Sequence, residues 1–171
     1  MYIAVIGPGE DATERDCAIA GQVGYLLAEA GATVLTGGLG GVMAAAAQGC
    51  ARAGGTSIGL LPGADRADAS PHLTVSLPTG LGELRNGLLV RAADGLIAVG
   101  GSWGTLSEIA LARRVGKPVV ALRGWQVTDE AGHEQPIEAS LPPSTGQTLR
   151  DRAAENAAAA VQRILALVNA G

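Results

Sequence analysis

Five short strand-like stretches in this chain are followed within three residues by glycine, and four of them lead into a stretch with helical periodicity. An unbroken apolar run of four to six residues stopped by glycine is the pattern of a strand buried on both faces. Such strands alternating with helices make parallel βαβ units, because a parallel crossover needs a helix to bring the chain back. The sequence therefore predicts an α/β fold: an open, doubly wound parallel sheet with helices on both faces.

Strands are expected at Tyr2–Ile6, Ala32–Leu35, Thr56–Leu61, His72–Leu77, Gly95–Val99 and Pro118–Leu122. Between them, one helix spans about 13–30, opened by an Asp11-x-x-Glu14 cap and stopped by Gly31. Others cover 42–53, the segment carrying Glu83, Arg85 and Asn86, and the stretch from the Gly100 turn to Arg114. Residues 64–71 read as a polar surface loop. The polar segment 124–146 contains three prolines and reads as either a flap or an irregular excursion. A last helix over 147–169 has the apolar stripe Leu149, Ala153, Ala157, Val161, Ile164 and Val168, suited to core or dimer packing. With 171 residues and no low-complexity block, 1–171 reads as a single domain.

One functional consequence follows from topology. In an open α/β sheet, ligands bind outside the carboxyl ends of the strands, at the point where strand order reverses. Gly7-Pro8-Gly9, Thr36 to Gly41, Pro62-Gly63, Pro78 to Gly82 and Gly100 to Thr105 all follow carboxyl ends. The opposite loops, at Gly31, Gly54-Gly55 and Gly116-Lys117-Pro118, are short and carry little chemistry, so a single site is expected.

Composition narrows what that site can hold. Net charge is −4, arginines are scattered and aromatics make up 2% with no Phe, which argues against a nucleic-acid partner. Lys117 is the sole lysine and lies at the wrong edge for a pyridoxal Schiff base. His72 and His133 are isolated, without metal-ligand spacing, so no catalytic metal and no resident cofactor are expected. Cys17 and Cys50 form no CxxC pair, which fits buried thiols in a reducing compartment. Arg91 and Asp94 interrupt the best apolar stretch, so no membrane helix is expected and the chain reads as soluble and cytoplasmic. The 26 glycines read as almost all belonging to turns.

The segment Gly100-Gly101-Ser102-Trp103-Gly104-Thr105-Leu106-Ser107-Glu108 is a glycine turn from a strand into a helix N-terminus. The first amides of a helix have no intrahelical acceptor, and the helix dipole adds positive potential there, so the turn suits a phosphate. Thr105-x-x-Glu108 equally fits a capping box, and spacing alone does not choose. Arg85 is either a surface partner of Glu83 or a bidentate anchor for phosphate. Gly7-Pro8-Gly9-x-x-Ala12 matches a dinucleotide fingerprint, but Pro8 lacks a backbone donor and strand two ends in Thr36-Gly37 rather than an acid, which favours a turn or pocket edge.

Arg85-Asn86, the run Ala93 to Val99 and the Gly100–Glu108 segment together resemble the Lonely Guy (LOG) phosphoribohydrolases, the "lysine decarboxylase-like" superfamily. Thr36-Gly37-Gly38-Leu39-Gly40-Gly41-Val42-Met43 is similar to a second glycine motif of that family, so the likeness spans about Tyr2 to Leu122. It implies a Rossmann-like fold, a homodimer, and hydrolysis of the N-glycosidic bond of nucleoside 5′-monophosphates, not lysine decarboxylation. It gives phosphate to Gly101, Gly104 and Thr105 and catalysis to Arg85 and Glu108. Asn86, Gly100, Ser102 and Ser107 depart from the family pattern toward the branch with molybdenum-cofactor carrier proteins, where a pterin-type cofactor would be bound and released intact. The expected phosphate- or nucleotide-binding positions are thus Gly7, Gly9, Gly38, Gly40, Gly41, Met43, Asn86, Gly101, Ser102, Trp103, Gly104 and Thr105.

Overall fold

The computed structural model describes residues 1–135 and 157–170. Six parallel strands form one sheet in the order β4-β3-β2-β1-β5-β6. They are β1 (Tyr2–Ile6), β2 (Thr33–Thr36), β3 (Ser57–Leu61), β4 (Val75–Pro78), β5 (Gly95–Val99) and β6 (Val119–Leu122). Successive strands step outward from β1 to β4, after which the chain crosses back to place β5 on the other side of β1. The reversal therefore lies between β1 and β5, whose register runs from Ile3↔Gly95 to Ile6↔Ala98. Alternate residues of these buried strands feed two cores. Ile3, Val5, Val34, Ile97, Val99 and Val120 pack with α1 (Glu14–Glu29), α2 (Gly41–Arg52) and α5 (Ala157–Asn169). Ala4, Ile6, Leu35, Leu96 and Ala98 pack with α3 (Arg85–Ala92) and α4 (Trp103–Arg114). The expected doubly wound α/β sheet is what the chain forms.

The two edges of the sheet are built differently. At the amino edge α1, α2 and α4 stop in the same way, at Gly31, Gly54 and Gly116 with φ of 75°, 69° and 75°. In each the glycine amide and the one after it donate back into the last turn, as in Gly31 to the Ala28 carbonyl and Ala32 to the Leu27 carbonyl. These compact stops leave the carboxyl edge as the place where loops are long.

Several boundaries differ from the sequence reading. The cap of α1 is Thr13 paired with Asp16, not Asp11 with Glu14; each side chain takes the other's backbone amide. β4 begins at Val75 rather than His72, because 72–74 turns to exchange hydrogen bonds between Thr74 and Ser57. A 3-10 turn at Gly82–Leu84 precedes α3. Not all glycines serve turns: a Cβ on Gly49 would lie 1.8 Å from the Gly21 carbonyl oxygen, and one on Gly24 2.0 Å from that of Ala46, so these let α1 and α2 pack backbone to backbone.

Within the segment expected to be a flap or excursion, Val127–Thr128 and Glu134–Gln135 form a small antiparallel hairpin, β7 and β8, whose turn is held by the Asp129 carboxylate. Of the C-terminal stripe, Ala157, Val161 and Ile164 are buried, so this face is core; Leu149 and Ala153 lie outside the described residues, as do 136–146. Among the described residues no helix is long and apolar enough to cross a membrane.

Candidate functional site

At the reversal point a cavity of about 750 Å³ opens between the ends of β1, β2 and β5. Its lining brings together Gly7, Gly9, Gly40, Gly41, Met43, Arg85, Asn86, Ser102, Gly104, Thr105 and Glu108, eleven of the fourteen expected site positions. The other three do not line it. Gly38 has φ 80° and packs against Leu61, while its amide donates to the Thr36 hydroxyl oxygen at 3.0 Å. Gly101 lies beneath the Trp125 ring, and Trp103 is 79% exposed, meeting Trp125 edge-to-face at 4.7 Å.

Close backbone approach explains the glycines of the first two loops. A Cβ on Gly7 would fall 2.4 Å from the Val99 carbonyl oxygen, so β1 and β5 could not turn so near each other with any larger residue. Gly41, at φ 59°, would put a Cβ 2.1 Å from the Gly9 carbonyl oxygen. The Val42 amide donates to the Pro8 carbonyl at 3.1 Å, docking the β1 loop on the start of α2. The dinucleotide-like Gly7-Pro8-Gly9 is thus the wall that seats α2.

Arg85 and Glu108 are the buried charges of the cavity. Both are nearly sealed from solvent, at 8% and 6% exposure, and they come from different helices, α3 and α4. Arg85 is therefore not a surface partner of Glu83. Its Nη1 is 3.8 Å from Glu108 Oε1, an ion pair too long for a hydrogen bond, and its buried Nε has no hydrogen-bond partner. Burial pushes the Glu108 carboxyl up to about 7, against the pull of the Arg85 guanidinium, with the Glu83 charge adding to the rise. Burial also lowers Arg85 from its ordinary value, opposed by Glu108 and Glu83.

Two helix N-termini face the cavity. That of α4 is capped by Ser102, whose Oγ accepts the Thr105 amide at 3.2 Å and shares a 2.9 Å hydrogen bond with the Thr105 hydroxyl. The Thr105–Glu108 capping box does not form, because Thr105 is itself the third helical residue and Glu108 lies a turn further on. The α2 terminus begins at Gly40, with no side-chain cap.

Sequence reasoning did not reach several contributors. Gly37 makes room for the guanidinium: a Cβ there would meet Arg85 Nη1 at 2.4 Å and Met43 Sδ at 2.6 Å. Glu10, Asp68 and Glu83 add carboxylates to the cavity lining. Asp68 belongs to the loop read as plain surface, yet that loop follows the carboxyl end of β3 and the edge rule itself points to it. Behind the lining, buried Asp16 accepts from Arg123 Nε at 3.1 Å, and a Cβ on Gly100 would lie 3.2 Å from the Asp16 carboxyl carbon. Burial alone would raise Asp16, but hydrogen bonds from Thr13 and Arg123 hold it below the ordinary aspartate value. This clamp ties α1 to the ends of β5 and β6. Among the described residues no cluster of His, Cys, Asp and Glu suits a metal ion.

The SLOG cluster4 family matches residues 1–158. The chain belongs to that family. Solved relatives agree with the assignment and with the expected branch. The molybdenum cofactor binding protein of Rippkaea orientalis is 44% identical, with a TM-score of 0.71 over 72% of this chain and 76% of that one. The molybdenum cofactor carrier protein of Chlamydomonas reinhardtii is 40% identical, with a TM-score of 0.68 over 72% and 77%. DNA processing protein A of Helicobacter pylori, described with a single-stranded DNA binding mode, is 23% identical at a TM-score of 0.58 over 71% and 65%, a likeness of fold alone. The SLOG cluster4 chain therefore shares its fold with the molybdenum cofactor binding and carrier proteins.

Proposed function

We propose that this chain binds a phosphorylated pterin-type cofactor of molybdenum in the crevice between β1 and β5 and carries it intact. The observation that carries this reading is Arg85: a guanidinium sealed in a cavity of ligand size, with an Nε that no protein group satisfies. An anion with several acceptor oxygens in that cavity would pair with the guanidinium. The 40–44% identity to molybdenum cofactor binding and carrier proteins supports the pterin class over others. A homodimer belongs to the same reading. Leu81, Leu84 and Leu88 are exposed at 47%, 79% and 43% on the turn and helix around Arg85, an apolar face that a second copy would cover.

A specific observation keeps a second reading open. A carboxyl near 7 is poised to exchange a proton at neutral pH, which suits Glu108 to hydrolysis of a nucleoside 5′-monophosphate, with Arg85 holding the substrate. Incubation of the full chain with the cofactor and, separately, with AMP, followed by chromatography of the small molecules, separates the two. The carrier reading expects retention of the cofactor with its pterin unchanged and no adenine from AMP. Adenine that accumulates with wild-type chain and not with Glu108→Gln would replace it by the hydrolase; failure to retain either compound would reject both.

A further inference from the structure

We infer that Trp125 is a positioning residue for the glycine turn before α4: its ring, held by the Arg123–Asp16 ion pair, packs on Gly101 and fixes the turn in the shape that receives the anionic group of the ligand. This rests on the ligand being phosphorylated, as proposed above, and on its phosphate meeting the Gly101–Thr105 turn.

The turn does little to hold its own start. Gly100 sits at φ 70°, and neither it nor Gly101 has a side chain, so this is the stretch with most backbone freedom to lose. Packing from outside supplies what is missing. A Cβ on Gly101 would meet Trp125 Cδ1 at 2.6 Å and Nε1 at 2.8 Å, so the indole lies on the Gly101 backbone, and Trp103 meets the same ring edge-to-face. Ser102, Gly104 and Thr105 line the cavity and Trp125 does not, so the ring bears on the turn without occupying the ligand's place. The segment carrying the ring is itself pinned. Among the described residues Arg123 is the one non-glycine residue with a positive φ, 57°, a conformation that persists where its surroundings fix it. Here the fixing contact is the 3.1 Å hydrogen bond from Arg123 Nε to Asp16, a carboxylate 5% exposed and held in turn by Thr13. The same carboxylate stands beside Gly100, so one buried charge on α1 braces both the start of the turn and the base of the Trp125 segment.

The test titrates the full 15N-labelled chain with inorganic phosphate. The chain has 2 tryptophans, so its indole signals are readily told apart, and the Trp125 Nε1 and Gly101 amide resonances are expected to shift as phosphate saturates. Trp125→Ala is expected to weaken phosphate at least about tenfold, and Trp125→Phe, which keeps a flat ring on Gly101, to recover it to within about threefold of wild type. Arg123→Gly separates the ion pair from the backbone: glycine adopts this φ freely but offers Asp16 no cation, so its phosphate affinity should fall as in Trp125→Ala. All are compared as chains folded by far-UV circular dichroism. Phosphate affinity within about twofold of wild type in Trp125→Ala or in Arg123→Gly would overturn the inference and leave the phosphorylated-ligand reading standing. The same result follows if Trp125→Phe is as weak as Trp125→Ala. No saturable phosphate binding by the wild-type chain would overturn both.

Discussion

Arg85 and Glu108 are costly residues for a folded chain to hold, and their cost is measurable. The folded value of Glu108, about 7, stands above the ordinary 4.5, so the protonated form is the one the fold accommodates. Its contribution is fully present below about pH 4.5 and is lost as pH rises through about 7, a change on the order of 3 kcal/mol. Urea unfolding across that window should show stability falling in the wild-type chain and not in Glu108→Gln; equal slopes in the two would remove the assignment to Glu108. Arg85 makes the complementary prediction. Arg85→Met removes a desolvated charge while keeping an apolar stem, so at about pH 6 the unliganded variant should be as stable as wild type or more so by about 1 kcal/mol. The same variant should bind inorganic phosphate at least about tenfold less tightly. Reduced stability together with unchanged phosphate binding would contradict the picture of a cation held for a ligand. Neither burial could be read from the sequence. The pairing joins side chains of α3 and α4 across the sheet edge, and periodicity within one helix says nothing of what faces it from the next.

At the scale of elements, the close approach of α1 and α2 depends on Gly24 and Gly49 having no side chains. Gly49→Ala would force its methyl into the Gly21 carbonyl, so it should destabilise the chain by about 1–3 kcal/mol, or more if the helices separate; thermal unfolding reads this, and an unchanged midpoint would show that the contact is soft. This contact was invisible to sequence reading because glycine inside a helical pattern reads as a weak spot, not as a packing surface. Strands β1 and β5 were legible to the residue, since both are continuous apolar runs bounded by charge or glycine. β4 was not, because it is an edge strand with Val75 and Leu77 half exposed, and nothing in its pattern distinguishes His72 from Val75 as a start. The α1 cap was displaced for a related reason. Asp11 and Thr13 are both competent caps, and only the return hydrogen bond from the Thr13 amide to Asp16 decides between them.

At the scale of the whole molecule, the fold and the location of the site were legible together, because both follow from which ends of the strands the glycine loops occupy. What the loops do inside the site was less so: Gly101 and Trp103 face Trp125 instead of the cavity, a contact made by a residue after β6 that no local motif announces. The exposed Leu81–Leu84–Leu88 face predicts self-association. Light scattering on the purified chain should give a dimer, and Leu84→Glu should give a monomer that still binds phosphate; a monomeric wild-type chain would leave that face without a second copy. We propose the crevice as a receptor for a phosphorylated pterin-type molecule. Calorimetric titration of the full chain with the molybdenum cofactor tests it most directly, with Arg85→Met as the control. The predicted result is saturable binding at one site per chain, competed by inorganic phosphate and weakened at least about tenfold in the variant. Absence of saturable heat, or equal binding by wild type and Arg85→Met, would contradict it.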